Sequence, residues 1–265
     1  MQHILQKYNI KAKKSLWQNF LMDEKILDQI VKITRVHNEN IIEVGPWFWA
    51  LTTKILDAHP ASLTLVELDT TMIEILQDRI QNWDINIWQI QFEIIQKDIL
   101  KYVPDFSDYK VIANIPYYIT SPILQHFLYK IRKPPTQMII LMQKEVWERI
   151  VSEKSSVLSL FVQKKCNVSS KIFVPANAFS PAPKVDSIVL FFETHSQFWE
   201  IDDDVFLSFI KSAFSNPRKK MMNNLASFSY DKERILKILF ELWYNENVRA
   251  ENLSIQDYIY MIKSI

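Results

Sequence analysis

A chain of 265 residues, 48% of them hydrophobic, can bury one full α/β core and still carry a smaller appendage. Its net charge of +1 gives no overall electrostatic pull toward nucleic acid, and no apolar run reaches the ~18 residues that a membrane span needs. The single cysteine, Cys166, excludes an intramolecular disulfide and a cysteine-based zinc cluster, and the five histidines lack ligand spacing, so metal chemistry is not expected.

The first residues, Met1 to Lys14, are polar and basic without the apolar stretch of a signal peptide, and a soluble, cytoplasmic protein is expected. Short β-rich apolar runs at 40–44, 63–68, 88–95, 110–113 and 137–143 then alternate with helical patterns at 50–58, 71–80, 122–131 and 145–152, and a late strand falls at 187–192. That alternation predicts an α/β fold with a parallel, Rossmann-like sheet and crossover helices. After an acidic stretch at 193–204 the patterns are helical only, at 205–214, 219–227, 232–242 and 255–262. The predicted division is a main domain over 1–197 and a small helical domain over 198–265.

In an open parallel sheet, ligands sit at the carboxyl ends of the strands, near the point where strand order reverses. The polar residues after each predicted strand are therefore the candidates. Glu43-Val44-Gly45-Pro46 makes a tight turn into a helix, Glu67 ends the second strand, Asp98 follows the third, and Asn114-Ile115-Pro116-Tyr117 follows the fourth. A turn whose backbone approaches the ligand, Glu67 for ribose hydroxyls and Asp98 for an exocyclic amine would suit a nucleoside. Each acid taken alone can equally cap the helix after it.

The fourth motif carries the sharpest chemistry. An adenine amine is a poor nucleophile because its lone pair is delocalised into the ring; the Asn114 side-chain oxygen and the Ile115 carbonyl can together accept both N–H hydrogens and favour a pyramidal nitrogen. Pro116 stiffens the turn and restricts Ile115 to extended geometry. Tyr117 can stack on an extruded base and offer a ring face to developing positive charge. Basic runs at Lys11, Lys13 and Lys14, at Lys164 and Lys165, and at Arg218, Lys219 and Lys220 are either solvated surface or phosphate contacts.

With these residues in view, the chain resembles the ribosomal RNA adenine N6,N6-dimethyltransferase family over nearly its whole length. KKSLWQNFL at 13–21 resembles the N-terminal cofactor motif, EVGP at 43–46 with ALT at 50–52 the first loop, and NIPYYIT at 114–120 the catalytic motif. MQKEV at 142–146 follows in its expected place, FSPAPKVDS at 179–187 matches a late motif, and FSNPRKK at 214–220 with RAENL at 249–253 matches the helical domain. The resemblance implies S-adenosylmethionine as cofactor, contacted by Asn19, Leu21, Gly45, Glu67, Asp98 and Asn114. It implies catalysis by Asn114, Ile115, Pro116 and Tyr117, with Phe179 facing the target base opposite Tyr117. The implied reaction is double methylation of two adjacent adenosines near the 3′ end of small-subunit (16S) ribosomal RNA by a monomer. No covalent intermediate is required, and Cys166 is expected to be a buried structural thiol. Two alternatives share these motifs: a large-subunit methyltransferase of the macrolide-resistance type, and a ribosome-assembly factor with impaired catalysis.

One departure stands out. Average usage of ~7% predicts roughly eighteen glycines in such a chain; there is one, Gly45, alongside eight tryptophans. Trp17, Trp47, Trp49 and Trp243 stand where the family has glycine, and Trp83 lies in a turn-like Asn-Trp-Asp context. Glycine there permits positive φ and close backbone approach, and tryptophan does the reverse. The expectation is that these positions are glycine in the source organism, through a codon that standard translation reads as tryptophan; the contrary expectation is a divergent chain with a partly blocked pocket.

Overall fold

The computed structural model describes residues 8, 20–82, 87, 90–115 and 119–265, with Phe48 described by its backbone alone. The chain divides into two compact units, Met1–Trp147 with Ser169–Thr194, and Glu148–Val168 with His195–Ile265. This differs from a single cut at 197, because residues 148–168 belong with the C-terminal helices.

The first unit is built on a seven-stranded sheet. In chain order the elements up to the last strand are β1 (Phe20–Leu21), α1 (Glu24–Thr34), β2 (Asn40–Val44), α2 (Ala50–Asp57), β3 (Ser62–Glu67), α3 (Thr70–Gln81), β4 (Gln91–Gln96), β5 (Lys110–Asn114), α4 (Thr120–Gln125), β6 (Gln137–Gln143), α5 (Lys144–Val151), α6 (Val157–Gln163), β7 (Cys166–Val174), β8 (Phe179–Ser180) and β9 (Ser187–Thr194), of which α6 belongs to the second unit. The order across the sheet is β4-β3-β2-β5-β6-β9-β7, and β1 pairs with β8 in a separate two-stranded sheet. Strands β4 through β6 run parallel, whereas β9 pairs antiparallel with β6. Every residue of β3 is buried, and so is the middle of β6 from Met138 to Met142, which is why that β6 run is continuously apolar rather than alternating. The edge strand β4 carries exposed Gln91, Glu93 and Gln96, which discourage further strand pairing.

Helix α1 was not among the predicted elements. Its apolar residues Ile26, Leu27, Ile30 and Val31 form one buried stripe, Asp23 caps its first turn by accepting from the Lys25 and Ile26 N–H groups, and it ends at Arg35 in the left-handed region. The predicted helix over 122–131 is two pieces, α4 and a π-helical turn over His126–Lys130.

The second unit holds α6, then α7 (Asp203–Ala213), α8 (Met221–Ala226), α9 (Lys232–Glu241) and α10 (Ile255–Ser264). Its core joins Leu160 to Phe206, Phe209, Ile210, Leu225, Leu239 and Tyr258. Lys164, at the end of α6, is buried; its Nζ donates to the Ile201 carbonyl at 2.8 Å and pairs with Asp203 at the start of α7. That charged clamp brings 148–168 to the C-terminal helices. Among the described residues, no helix is long and apolar enough to cross a membrane.

Candidate active site

The chain runs outward from β2 to β3 and β4, then returns to lay β5 on the other side of β2, so strand order reverses between β2 and β5. Val44 pairs with Ala113 across this switch point and with Val66 on the opposite side. Gly45 and Asn114, one residue further along each strand, therefore lie side by side. A Cβ added to Gly45 would stand 3.6 Å from the Asn114 carbonyl oxygen, and Gly45 adopts φ +66, a conformation in which glycine is unstrained.

Around this point the structure gathers Gly45, Glu67, Asp98, Asn114 and Ile115 from the ends of neighbouring strands. Glu67 Oε1 accepts from the Leu68 and Asp69 N–H groups at 2.7 and 2.8 Å, which pins the carboxylate at the strand end. Asp98 Oδ1 accepts from Leu100 N–H at 3.0 Å and caps the 3-10 turn Ile99–Lys101. Asp69 likewise caps α3 through Thr71 N–H. The capping role open to Asp98 from sequence is thus present, and Asp69 has one as well. Asn114 is half-buried and Ile115 buried. Leu21 and Phe179 face each other across β1 and β8, and both lie in the main core, Phe179 with 5% of its surface exposed. Asn19, Pro116, Tyr117, Trp17 and Trp83 fall outside the described residues.

Glu43, the acid of the turn motif, is buried within the cluster beside Thr52 and Glu67. Its carboxyl is pushed up to about 8, chiefly by burial; the Thr52 hydroxyl lowers it and the Glu67 carboxylate raises it further. The available signal was an acid set inside an otherwise apolar strand, Ile41-Ile42-Glu43-Val44. His126, equally unremarked, is buried on the π-helical turn with Nε2 2.8 Å from the Tyr102 carbonyl, which ties that turn to the segment following Asp98. π-helical turns inside helices recur at functional sites.

The residues present only partly fit S-adenosylmethionine. The strand-end acids and the Gly45 turn suit a nucleoside, but the Trp47 indole lies over that turn, with Nε1 3.6 Å and Cε2 3.7 Å from the place of a Gly45 Cβ. The indole is held there edge-on to Phe20, centroids 5.9 Å apart. Trp49 has φ 52 and Trp243 φ 64, both in the left-handed region. For an L-residue that conformation costs roughly 1–2 kcal/mol, and for a bulky side chain it is an outlier. Among the described residues, no group of three or more His, Cys, Asp or Glu side chains is placed to hold a metal ion. Cys166 is buried, its thiol pushed up to about 12 by burial, as expected of a structural residue.

The sheet order, with acids and a glycine turn at the switch point, defines a Rossmann-like fold of the S-adenosylmethionine-dependent methyltransferase class. The family model described as ribosomal RNA adenine dimethylase matches residues 9–265, and the chain belongs to that family. Relatives named ribosomal RNA small subunit methyltransferase A include those of Fusobacterium nucleatum, 33% identical over 96% of this chain and 97% of that protein, and Mycoplasma mobile, 36% identical over 93% and 95%. A dimethyladenosine transferase from Plasmodium falciparum has the same fold, with TM-score 0.76 and 24% identity over 91% of this chain and 95% of that one. So does the 23S rRNA methyltransferase ErmE, with TM-score 0.74 and 18% identity over 93% and 99%.

Proposed function

We propose that this protein is the small-subunit member of its family, transferring methyl groups to N6 of two adjacent adenosines near the 3′ end of 16S ribosomal RNA. The observation that carries this reading is the adjacency of Asn114-Ile115 to Gly45 at the switch point, where a base and a nucleoside cofactor would meet. Asn114 Oδ1 and the Ile115 carbonyl accept the two hydrogens of the adenine amine and turn its lone pair outward; Pro116 fixes the direction of that carbonyl. A flipped base lies between Tyr117 and Phe179, which requires the Phe179 ring to be uncovered as the base enters. Asn19, Leu21, Gly45, Glu67, Asp98 and Asn114 hold S-adenosylmethionine, which supplies the methyl group. The amine loses its proton readily once it carries positive charge, so no strong general base is needed. The helical unit and its basic run at 218–220 position the RNA through phosphates. The enzyme works as a monomer in the cytoplasm.

The small-subunit reading is favoured over the large-subunit one by the names of the relatives at 33% and 36% identity. Labelled methyl transfer to small ribosomal subunits lacking these methyl groups tests it. Transfer to those subunits and not to large-subunit RNA is the expected result, and Asn114→Ala is expected to lower the rate by on the order of 100-fold. The second reading, an assembly factor without catalysis, is favoured by Trp47 over the cofactor turn. It gains if the protein binds small subunits yet transfers nothing.

A further inference from the structure

Gly45 is the chain's one glycine, and it occupies a left-handed turn as glycines do. Among the described residues, Trp49 and Trp243 occupy the same backbone region, as do Arg35, Asn38, His59 and Ser229, and Trp243 completes a motif in which glycine has a defined task. At the end of α9, the Tyr244 N–H donates to the Leu239 carbonyl at 2.8 Å and the Trp243 N–H to the Phe240 carbonyl at 3.0 Å. With Leu242 as the C-cap, these are the two bonds of a Schellman turn, and Trp243 is the residue just past the cap that must turn left-handed. Its indole is 96% exposed, so no burial offsets the strained backbone. Trp49 is the left-handed residue that opens α2, and its buried ring lies 5.2 Å from the Arg79 guanidinium. Trp47 shows a third sign, an indole covering the cofactor turn.

We infer that positions 47, 49 and 243 are glycine in the polypeptide its source organism makes, through a codon read as glycine where standard translation gives tryptophan, and that the glycine form is the one able to bind cofactor. The backbone argument at 49 and 243 is independent of the proposed function; the argument at 47 rests on it. A divergent chain that carries tryptophan by descent has no reason to place it at a Schellman turn, at a helix-opening left-handed residue and over a cofactor turn while glycine is depleted throughout.

The decisive measurement is the mass of two tryptic peptides from the protein isolated from its source, residues 36–54 and 238–249. Glycine masses at both are expected, two replacements in the first and one in the second; tryptophan masses overturn the inference. The backbone argument is checked separately on recombinant chains. Trp243→Gly is expected to raise the urea midpoint over the chain with Trp243, whereas Trp243→Ala leaves it nearly unchanged, because alanine keeps a Cβ at positive φ. Equal gains from alanine and glycine would remove that argument. For the cofactor, calorimetric titration with S-adenosylmethionine is expected to show at least tenfold tighter binding by the Trp47→Gly, Trp49→Gly chain. If glycine masses are found and neither chain binds, the cofactor reading fails while the assignment of positions 49 and 243 stands.

Discussion

The chemistry of Glu43 depends strongly on its surroundings. An acid at a strand end in water would be charged above its ordinary 4.5; buried beside Glu67 it holds its proton up to about 8. A raised folded pKa means that the unfolded chain releases this proton first as pH rises. The stability contributed by the neutral carboxyl is therefore fully present below about 4.5 and lost as pH climbs through about 8, with a slope near 1.4 kcal/mol per pH unit within that window. Glu43→Gln, neutral at every pH, is expected to flatten the fall in urea-unfolding free energy between pH 5 and 8; an unchanged slope would show that Glu43 is ionised in the fold. His126 works in the opposite sense. Burial lowers its pKa, so stability tied to the neutral ring is lost as pH falls below the usual histidine range. His126→Leu leaves the Tyr102 carbonyl without its 2.8 Å partner and is expected to cost about 2 kcal/mol in the same assay.

At the scale of elements, many helix starts in this chain are fixed by side chains that satisfy the first orphan N–H groups, whereas α2, α4 and α8 have no side-chain cap. Asp23, Asp69, Ser156, Asp202, Asp231 and Ser254 each accept from their own helix's first turn, and Ser156 and Ser254 form reciprocal capping boxes with Ser159 and Asp257. Asp23→Ala is expected to destabilise by about 1 kcal/mol, read as a lower urea midpoint. The clamp between α6 and α7 is a stronger test of packing. Burial lowers the Lys164 pKa against the raising influence of Asp203, and Asp203 is shared with Lys165 at 2.7 Å. Asp203→Asn leaves Lys164 buried with the Ile201 carbonyl as its remaining anchor, and is expected to cost about 3 kcal/mol, more than an exposed ion pair would.

For the whole molecule, a net charge of +1 means that RNA affinity must come from local clusters rather than from the overall field. In the run at 218–220, Lys220 pairs with Glu246 at 3.3 Å, so the proposed phosphate contacts are tested at Arg218 and Lys219. Replacing both with glutamine is expected to weaken binding to small-subunit RNA across sequences and to reduce the dependence of log affinity on log salt by about two, measured by filter binding over a salt series.

The fold class, the strands around the switch point and the residues grouped there were legible in the sequence because each rests on a local signal. β2 and β6 fall at their predicted bounds, since apolar runs bracketed by polar turns announce strands directly. Gly45, Glu67, Asp98 and Asn114 could be named because ligands gather at strand ends in any such sheet. The two-residue pairing of β1 with β8 was not legible, because its register joins positions about 160 residues apart and no periodicity records it. Helix α1 carries its signal in the apolar stripe Ile26, Leu27, Ile30 and Val31, which is readable in the sequence. The membership of 148–168 in the helical unit depends on where Lys164 and Leu160 bury, which only tertiary packing decides. The tryptophans show the same division. Composition marked the missing glycines, because a count needs no geometry; the left-handed backbone at 49 and 243, on which the inference rests, came only from the tertiary structure, since φ is set by the elements that meet there rather than by the residue that occupies the place.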